Sequence, residues 1–251
     1  MNVDSNSYTF GFATIMVIIV AALLSYAAIG LKPYQDTNIE LEKQQNILSS
    51  VGIKVERDLA SDTYSKYIKE EIVLNYKGEE VDGSAFDIEL SKEVKKDNSL
   101  QLLPLFISNI NNEKQYIIPL RGKGLWGPIW GFIALEEDLN TVYGAVFDHK
   151  AETPGLGAEI NQSFFQEPFV GKAIFEGDKL ISIKVVKGGA PQGDNHAVDG
   201  ISGGTITSDG VTDMLSERLN MYLPYINKVK AEMLVKNVID LDSTQILNDT
   251  L

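Results

Sequence analysis

The sequence predicts an α+β protein in which a single N-terminal transmembrane helix precedes a mostly antiparallel sheet with flanking helices. Three observations support this prediction. Residues Ser5 to Leu31 contain no charged side chain. From Ile107 onward, short segments rich in β-branched and aromatic residues recur between glycines and asparagines. Apolar residues at helical spacing then end near Leu223, which indicates a helix that closes the domain.

The N-terminal segment is long enough to cross a membrane. Residues 10–31 are nearly all apolar, and at about 1.5 Å per residue they span a hydrocarbon core of roughly 30 Å. A cleaved signal peptide is the alternative, with Ser25-Tyr26-Ala27 as its cleavage site. The apolar run is long for a signal peptide, and no Lys or Arg occurs among the first seven residues. We therefore predict an uncleaved anchor over residues 1–33, whose orientation the flanking charges do not determine.

Composition excludes several classes of protein. The net charge of −13 argues against nucleic-acid binding, which needs a basic surface. The chain has no cysteine, so it forms neither disulfides nor cysteine-ligated iron–sulfur clusters. Its two histidines, His149 and His196, have no spacing that resembles a zinc site. No metal ligand is predicted.

Residues 34–100 are polar, and we predict a helical stalk followed by the start of the soluble domain. Residues 38–50 are predicted to form a helix that Asn38 caps, and residues 54–71 a second, more charged helix. Residues 92–97 form a charge run that is most simply an exposed turn.

Residues 101–225 are predicted to form the sheet domain, and residues 226–251 a C-terminal tail. A short helix is expected at residues 164–169, and the closing helix at residues 211–223, capped by Ser208 or Asp209. No G-x-G-x-x-G motif follows a strand, so a Rossmann dinucleotide site is not supported. The strands predicted by residue type are Gln115–Leu120, Ile129–Leu135, Thr141–Phe147 and Leu180–Val186.

The loop from Asp199 to Val211 contains four glycines, two threonines and two serines. Gly203 and Gly204 allow unusual backbone conformations and a close approach by another group, so the hydroxyl of Thr205 is within reach. A phosphate could be held by loop N–H groups at the helix N-terminus, or bound covalently to a threonine oxygen. A plain glycine turn before a helix is the alternative.

The start of this loop resembles a known modification motif. Residues 199–205, Asp-x-x-Ser-Gly-Gly-Thr, resemble the flavinylation motif of the FMN-binding domain family, usually written Asp-x-x-Ser/Thr-Gly-Ala-Thr. In that family a flavin transferase splits FAD and joins FMN through its phosphate to the last threonine. The resemblance implies attachment to Thr205, with Thr207 as a competing acceptor. The sequence departs from the motif at Gly204, where alanine is usual.

Two further loops carry side chains that suit a flavin. Residues 122–128, Gly-Lys-Gly-Leu-Trp-Gly-Pro, hold a tryptophan that either stacks on a flat ring or lies in the core at a strand entry. Residues 149–157, His-Lys-Ala-Glu-Thr-Pro-Gly-Leu-Gly, offer an acceptor, a hydroxyl and an apolar contact, or else form only a surface turn. A flavin needs both apolar contacts and hydrogen bonds.

Together these motifs resemble the NqrC family, a subunit of the sodium-translocating NADH:quinone reductases. The resemblance runs from the anchor to Tyr225 and leaves the tail uncovered. The related flavoprotein subunit of the Rnf complex, RnfG, shares the threonine motif and the Glu-Thr-Pro-Gly-Leu-Gly loop. The loop at residues 122–127, followed by Asn-Thr-Val at residues 140–142, favours the quinone reductase.

The resemblance implies an electron-transfer subunit of a six-subunit complex in the bacterial inner membrane. That complex passes electrons from NADH to ubiquinone or menaquinone and exports sodium. This chain would expose its soluble domain to the periplasm. It would carry FMN by a phosphoester on Thr205 and relay electrons from an iron–sulfur centre to the FMN of another subunit. Thr205 is then a tether, and no residue is catalytic.

The resemblance also assigns roles to the three loops. Asp199 would serve recognition by the flavin transferase or its metal. The residues expected to contact the flavin ring or ribityl chain are Leu125, Trp126, Glu152, Thr153, Leu156 and Gly157. The residues expected around the phosphate are Ser202, Gly203, Gly204 and Thr207.

Two alternatives from other classes remain open. The chain could be a membrane-tethered binding or scaffold domain without a redox cofactor, in which the glycine loop is only structural. It could also be a hydrolase with Thr205 or Ser202 as nucleophile, although no histidine lies at a spacing that indicates a partner.

Overall fold

The structure is a computed structural model that describes residues 5–248, with side chains as far as residue 235. Contacts between Cα atoms divide the chain into two compact units, the first ending at Gln44 and the second beginning at Gln45. The domain boundaries that we predict after residues 33, 100 and 225 stay predictions.

The first unit consists of the larger part of α1 (Asn6–Ser50). Among the described residues, α1 is the one helix that is long and apolar enough to cross a membrane, by length and composition. The separate helix predicted to begin at Asn38 does not occur, because α1 continues through Pro33. A proline removes one backbone hydrogen bond, but its φ is helical, so a long helix can include it. The Thr37 hydroxyl donates to the Pro33 carbonyl at 3.1 Å.

The second unit is built on a six-stranded sheet in which neighbouring strands are all antiparallel. This confirms the predicted fold class and three of the four predicted strands. Along the sheet the order is β2-β1-β3-β4-β5-β6. The strands are β1 (Ile68–Leu74), β2 (Glu80–Val81), β3 (Leu103–Ile110), β4 (Glu113–Lys123), β5 (Pro128–Leu135) and β6 (Val142–His149).

In the described residues of the second unit, two small sheets and four further α-helices accompany the large sheet. The small sheets are an antiparallel pair, β7 (Phe175–Glu176) with β8 (Lys179–Leu180), and a parallel pair, β9 (Lys184–Val186) with β10 (Ala197–Asp199). The helices are α2 (Ala60–Tyr67), α3 (Leu90–Glu93), α4 (Ser163–Gln166) and α5 (Thr205–Asn248), with 3-10 turns at Arg57–Leu59, Asn98–Leu100, Gly157–Asn161 and Glu167–Phe169.

The sheet is buried on both faces. Side chains alternate between the faces along a strand, so Leu105 and Ile118 pack in the cluster that includes α5, while Phe106 and Ile117 pack in the other cluster with Leu48 of α1. Each fully buried aliphatic side chain contributes about 1.5–3 kcal/mol. Burial on both faces explains why these strands read as continuous apolar runs.

Three predicted elements differ from the structure. Residues 54–71 are helical only in part, because Ile68 begins β1 and pairs with β3. The strand predicted at residues 180–186 is interrupted at Ser182, whose φ is +63°. The closing helix begins at Thr205 rather than Val211, and it runs through most of the predicted tail to Asn248.

The start of α5 also corrects the predicted cap. Ser208 and Asp209 lie inside the helix, so neither is an N-cap. The Ser208 hydroxyl accepts the N–H of Ile201 at 3.2 Å, and the Ser208 N–H donates to the Gly204 carbonyl at 2.9 Å. The helix therefore starts directly after the two glycines.

The charge run at residues 92–97 is more than an exposed turn. Glu93 ends α3 and is buried; its carboxylate accepts the Leu102 N–H at 2.9 Å and contacts Lys96 Nζ at 2.7 Å. Burial on its own raises the pKa of Glu93. The Leu102 N–H and Lys96 lower the pKa by a larger amount, so the net pKa lies below the ordinary value. Glu93 therefore fastens the start of β3 to α3.

We expect Glu93→Gln to destabilise the full-length protein by about 1–3 kcal/mol at neutral pH. A depressed carboxyl pKa stabilises the fold above the ordinary value, about 4.3, and this contribution disappears as pH falls through the folded pKa. The melting-temperature difference from the wild type should therefore be smaller at an acidic pH, below about 4, than at neutral pH. Glu89→Gln, which removes an exposed partner of Lys92, is the control and should change stability by less than about 0.5 kcal/mol. An equal Glu93→Gln effect at both pH values would contradict this account.

Candidate functional site

Three loops meet at one end of the six-stranded sheet, and they are the three motifs that the sequence analysis singled out. The β4–β5 loop lies beyond the Lys123–Pro128 pair, and the loop after β6 begins beside it, because His149 pairs with Ile129. The loop before α5 joins them through contacts to residues 156 and 157. The structure thus brings together segments that are far apart in the chain.

Glu152 is the side chain that connects the three loops. Its carboxylate is buried; Oε1 accepts the Trp126 N–H at 2.8 Å, and Oε2 accepts the Thr207 hydroxyl at 2.7 Å. The Glu152 N–H donates to His149 Nδ1 at 3.2 Å. Both oxygens of the carboxylate are therefore bonded within the protein.

The same contacts set the charge of Glu152. Burial alone raises the pKa of this carboxyl. The Thr207 hydroxyl and the N–H groups of Trp126, Gly127 and Leu125 lower it by more, so the net pKa lies below the ordinary value. Glu152 is accordingly a buried anion at neutral pH.

Glycines allow the loops to touch. A Cβ on Gly157 would overlap Thr207 Oγ1 and lie 2.6 Å from Glu152 Oε2. Gly203 has φ +75°, and a Cβ there would lie 2.6 Å from Leu156 Cδ2. A side chain at residue 157 would therefore push Thr207 and Glu152 away, whereas one at residue 203 would displace the flexible Leu156 side chain and strain the backbone at its positive φ.

The two candidate threonines have different environments. Thr205 is half-buried at the first position of α5, whereas Thr207 is 2% exposed and its hydroxyl is bonded to Glu152. The first N–H groups of a helix have no intrahelical acceptor, which favours an anion beside them. Thr205 therefore presents an accessible hydroxyl at a terminus that suits a phosphate.

Large exposed apolar side chains lie on the three loops that meet here. Trp126 is 66% exposed and Ile206 57% exposed, and Leu125 and Leu156 are exposed as well. Apolar groups gathered in this way commonly mark a binding surface, and an exposed indole can stack on a flat ring. The apolar side chains, the glycine contacts and the helix N-terminus together fit a flavin with a phosphate.

The remaining predicted residues lie on the same loops. Thr153 and Ser202 are exposed, and Gly204 is buried. The Thr153 carbonyl accepts the N–H groups of Leu156 and Ala158 at 3.1 and 3.2 Å, which closes the turn.

Asp199 is exposed at the end of β10, and its Oδ1 accepts the Ala190 N–H at 2.7 Å. In the folded domain this carboxylate shapes the loop before β10.

Three features of the site go beyond the sequence prediction. Glu152 and Thr207 are predicted to contact the flavin or its phosphate, but in the structure they bond to each other. Ile206, between the two threonines, is not among the predicted residues, although a helix starting at Thr205 exposes it. Nothing in the sequence indicates that His149 accepts a hydrogen bond from Glu152.

Neither histidine is bonded to a candidate nucleophile, which weakens the hydrolase alternative. His149 bonds to the Glu152 N–H, and His196 Nδ1 lies 2.6 Å from the Ala173 carbonyl.

An open cleft of about 510 Å³ lies elsewhere, lined by residues 46–54, β6 and residues 161–170. None of the predicted site residues lines it. The candidate site is a surface formed by three loops and not a cavity, so the cleft and the site are different parts of the domain.

Comparison with known proteins agrees with these observations. Residues 124–220 match the FMN-binding domain family. The chain is 34% identical to the NqrC subunit of the Na(+)-translocating NADH-quinone reductase from Vibrio alginolyticus, over 84% of this chain and 89% of that protein. The crystal structure of the corresponding subunit from Parabacteroides distasonis is similar with a TM-score of 0.73 and 42% identity, covering 78% of this chain and 96% of that one. Shewanella oneidensis NqrC is similar with a TM-score of 0.66 and 25% identity, covering 76% and 98%.

Proposed function

This chain belongs to the NqrC family of the Na(+)-translocating NADH-quinone reductases, and we propose that it carries FMN covalently on Thr205 as an electron-transfer subunit. The observation that carries the proposal is the contrast between the two threonines. Thr205 is accessible at the start of α5, whereas Thr207 is buried and bonded to Glu152. The family match also disfavours a scaffold domain without a cofactor.

Residues of the three loops would contact different parts of FMN. Ser202, Gly203 and Gly204 lie directly before Thr205 and would offer backbone groups to the phosphate. The exposed apolar side chains would cover the ring system: Leu125, Trp126, Leu156 and Ile206. Thr153 would offer polar groups beside them.

Glu152, Thr207 and Gly157 hold the loops together and, in this proposal, do not themselves bind FMN. Their hydrogen bonds and close contacts are satisfied within the protein.

When bound, FMN supplies one-electron redox chemistry. The chain would relay electrons from an iron–sulfur centre elsewhere in the six-subunit complex to the FMN of another subunit. Its N-terminal apolar helix and its family membership indicate a single-pass membrane anchor. We propose that the soluble domain faces the periplasm, where a covalent tether prevents loss of the cofactor. A flavin transferase would attach FMN, with Asp199 as part of the motif that it recognises.

Intact mass and peptide mapping of the denatured protein test the proposal. The protein should come from a host that contains the flavin transferase. Attachment joins the phosphate to the threonine oxygen and releases water, so we expect added mass equal to FMN less one water on the peptide that holds Thr205. Unmodified, colourless protein from that host would overturn the proposal, and modification of Thr207 would keep the function and correct the site.

We expect Trp126→Ala to affect the flavin but not the fold. The indole is 66% exposed, so the free energy of unfolding should change by less than about 0.5 kcal/mol. Loss of a stacking contact worth about 0.5–1.5 kcal/mol would lower the ratio of docked to undocked flavin about 2- to 13-fold. Flavin fluorescence of the modified protein should rise accordingly. Leu59→Ala, exposed outside the three loops, is the control, and equal fluorescence in all three proteins would argue against a stacking role.

A further inference from the structure

The Glu152 carboxylate lies where the three loops meet. It is buried and bonded within the protein, so it is not exposed to contact a flavin. We propose that Glu152 is a positioning residue that assembles the flavin site and, as a buried anion, lowers the midpoint potential of the attached FMN. The part concerning the potential rests on the proposed function. The part concerning assembly can be tested on the protein without flavin.

The first support is the way the β4–β5 loop wraps around the carboxylate. The Gly124 N–H donates to the Gly127 carbonyl at 2.8 Å and closes the turn, and the Trp126 N–H donates to Glu152 Oε1 at 2.8 Å. A Cβ on Gly124 would lie 2.6 Å from Oε1. The β4–β5 loop therefore packs its backbone against the carboxylate at Gly124 and donates the Trp126 N–H to it.

The second support is the link to the attachment residue. Glu152 Oε2 accepts the Thr207 hydroxyl at 2.7 Å, and Thr207 lies one residue beyond Ile206 in the first turn of α5. Moving the carboxylate therefore moves the turn that presents Thr205. The end of β4 also packs directly on α5 at Gly122 and Gly210, and Glu152 adds a hydrogen-bonded bridge between the loop with Trp126 and the first turn of α5.

The third support is the lack of a compensating cation. In the part of the chain that the structure describes, no lysine or arginine forms an ion pair with Glu152. Hydrogen-bond donors stabilise the carboxylate but leave its net charge in place. Electron uptake adds negative charge to a flavin unless a proton follows. A nearby buried anion opposes that change, because it is screened less than a charge in water.

Glu152→Gln separates charge from shape. The amide has nearly the same size; its oxygen can accept the Trp126 N–H, and its NH₂ can donate to the Thr207 oxygen. The matched control is Glu159→Gln, in the turn that follows: Glu159 is half-exposed, and its Oε1 accepts the Gly155 N–H at 2.8 Å. Glu152→Asp keeps the charge but is one methylene too short to reach both partners.

The experiment uses the full-length protein, made with the flavin transferase, and measures three quantities. These are FMN incorporation by mass, midpoint potential by spectroelectrochemical titration with mediators, and hydrogen exchange at the N–H groups of residues 125–127. We expect Glu152→Gln to raise the midpoint potential clearly more than Glu159→Gln does. We expect it to speed exchange about tenfold or more, because neutral hydrogen bonds replace charge-assisted ones. Glu152→Asp should keep the wild-type potential while incorporating less FMN.

Each outcome decides one part of the proposal. A modified Glu152→Gln protein with the same potential as Glu159→Gln would overturn the effect on the potential. Wild-type exchange in Glu152→Gln, or wild-type incorporation in Glu152→Asp, would overturn the positioning role. If Glu152→Gln does not accumulate, incorporation in Glu152→Asp decides the positioning role, and a potential in Glu152→Asp that differs from the wild type would overturn the assignment of the potential to the charge. Unmodified wild-type protein would instead overturn the proposed function, and exchange in the unmodified variants would still test assembly.

Discussion

The Thr205→Val protein, produced in a host that contains the flavin transferase, is expected to carry no covalent FMN. Valine has the shape of threonine but lacks the oxygen that forms the phosphoester. The replacement lies at a half-buried position at the start of α5, so stability should change by less than about 1 kcal/mol. Intact mass and visible absorbance of the purified protein measure the result, and electron relay by the subunit should be lost with the flavin.

The nearby threonine should not replace the missing acceptor. Thr207 is 2% exposed and donates its hydroxyl to Glu152, so modification there would require the first turn of α5 to open. FMN on Thr207 in the Thr205→Val protein would therefore contradict the geometry described above. Thr207→Val is the matched control: the FMN that it carries should still be on Thr205, at lower incorporation because the bond to Glu152 is lost. It should also lose about 1–3 kcal/mol of stability, because a buried charged acceptor is left unpaired.

The parts of this fold that the sequence predicts are those with a local cause. The strands β4, β5 and β6 are rich in β-branched and aromatic residues, and their boundaries agree with the prediction within about two residues at most ends. The attachment loop is also predictable, since it combines glycines and hydroxyl side chains in a known order. These signals depend on neighbouring residues only.

The edge of the sheet shows where local reasoning fails. β1 contains Lys69, Glu70 and Glu71, which the sequence analysis places in a charged helix, yet these residues are the exposed part of a strand that pairs with β3. β3 lies some 30 residues further along the chain. Pairing over that separation supplies the energy that overrides local propensity.

The site shows the same limit. The sequence singles out both Glu152 and Thr207 but assigns each to the flavin, because nothing local shows that they bond across 55 residues. Hydrogen-bond partners are set by how β6 and α5 pack, and packing is a property of the whole domain. Residue types therefore predict the members of the site, and only the fold reveals which of them organise it.

Gly157→Ala is expected to have the second large effect, on both stability and flavin incorporation. The new methyl group would overlap Thr207 Oγ1 and lie 2.6 Å from Glu152 Oε2, so it would push apart the contact that joins two loops. Overpacking of this kind costs about 1–3 kcal/mol. The melting temperature should fall by about 2–4 °C per kcal/mol in a domain of this size. FMN incorporation, measured by mass, should fall in the fraction that remains folded.

Gly204→Ala is the matched control, because the two glycines touch each other but face different neighbours. A methyl group on Gly204 would lie 3.1 Å from the Ile201 Cβ and 3.3 Å from the Gly157 nitrogen, which shifts of a few tenths of an ångström can relieve. It also restores the alanine usual in the motif. We expect a loss below about 1 kcal/mol with full FMN incorporation. If both variants lost flavin equally, the cause would be any added methyl group at the contact between the two loops, and not the bond between Glu152 and Thr207. Loss in Gly157→Ala alone would assign it to the bond between Glu152 and Thr207.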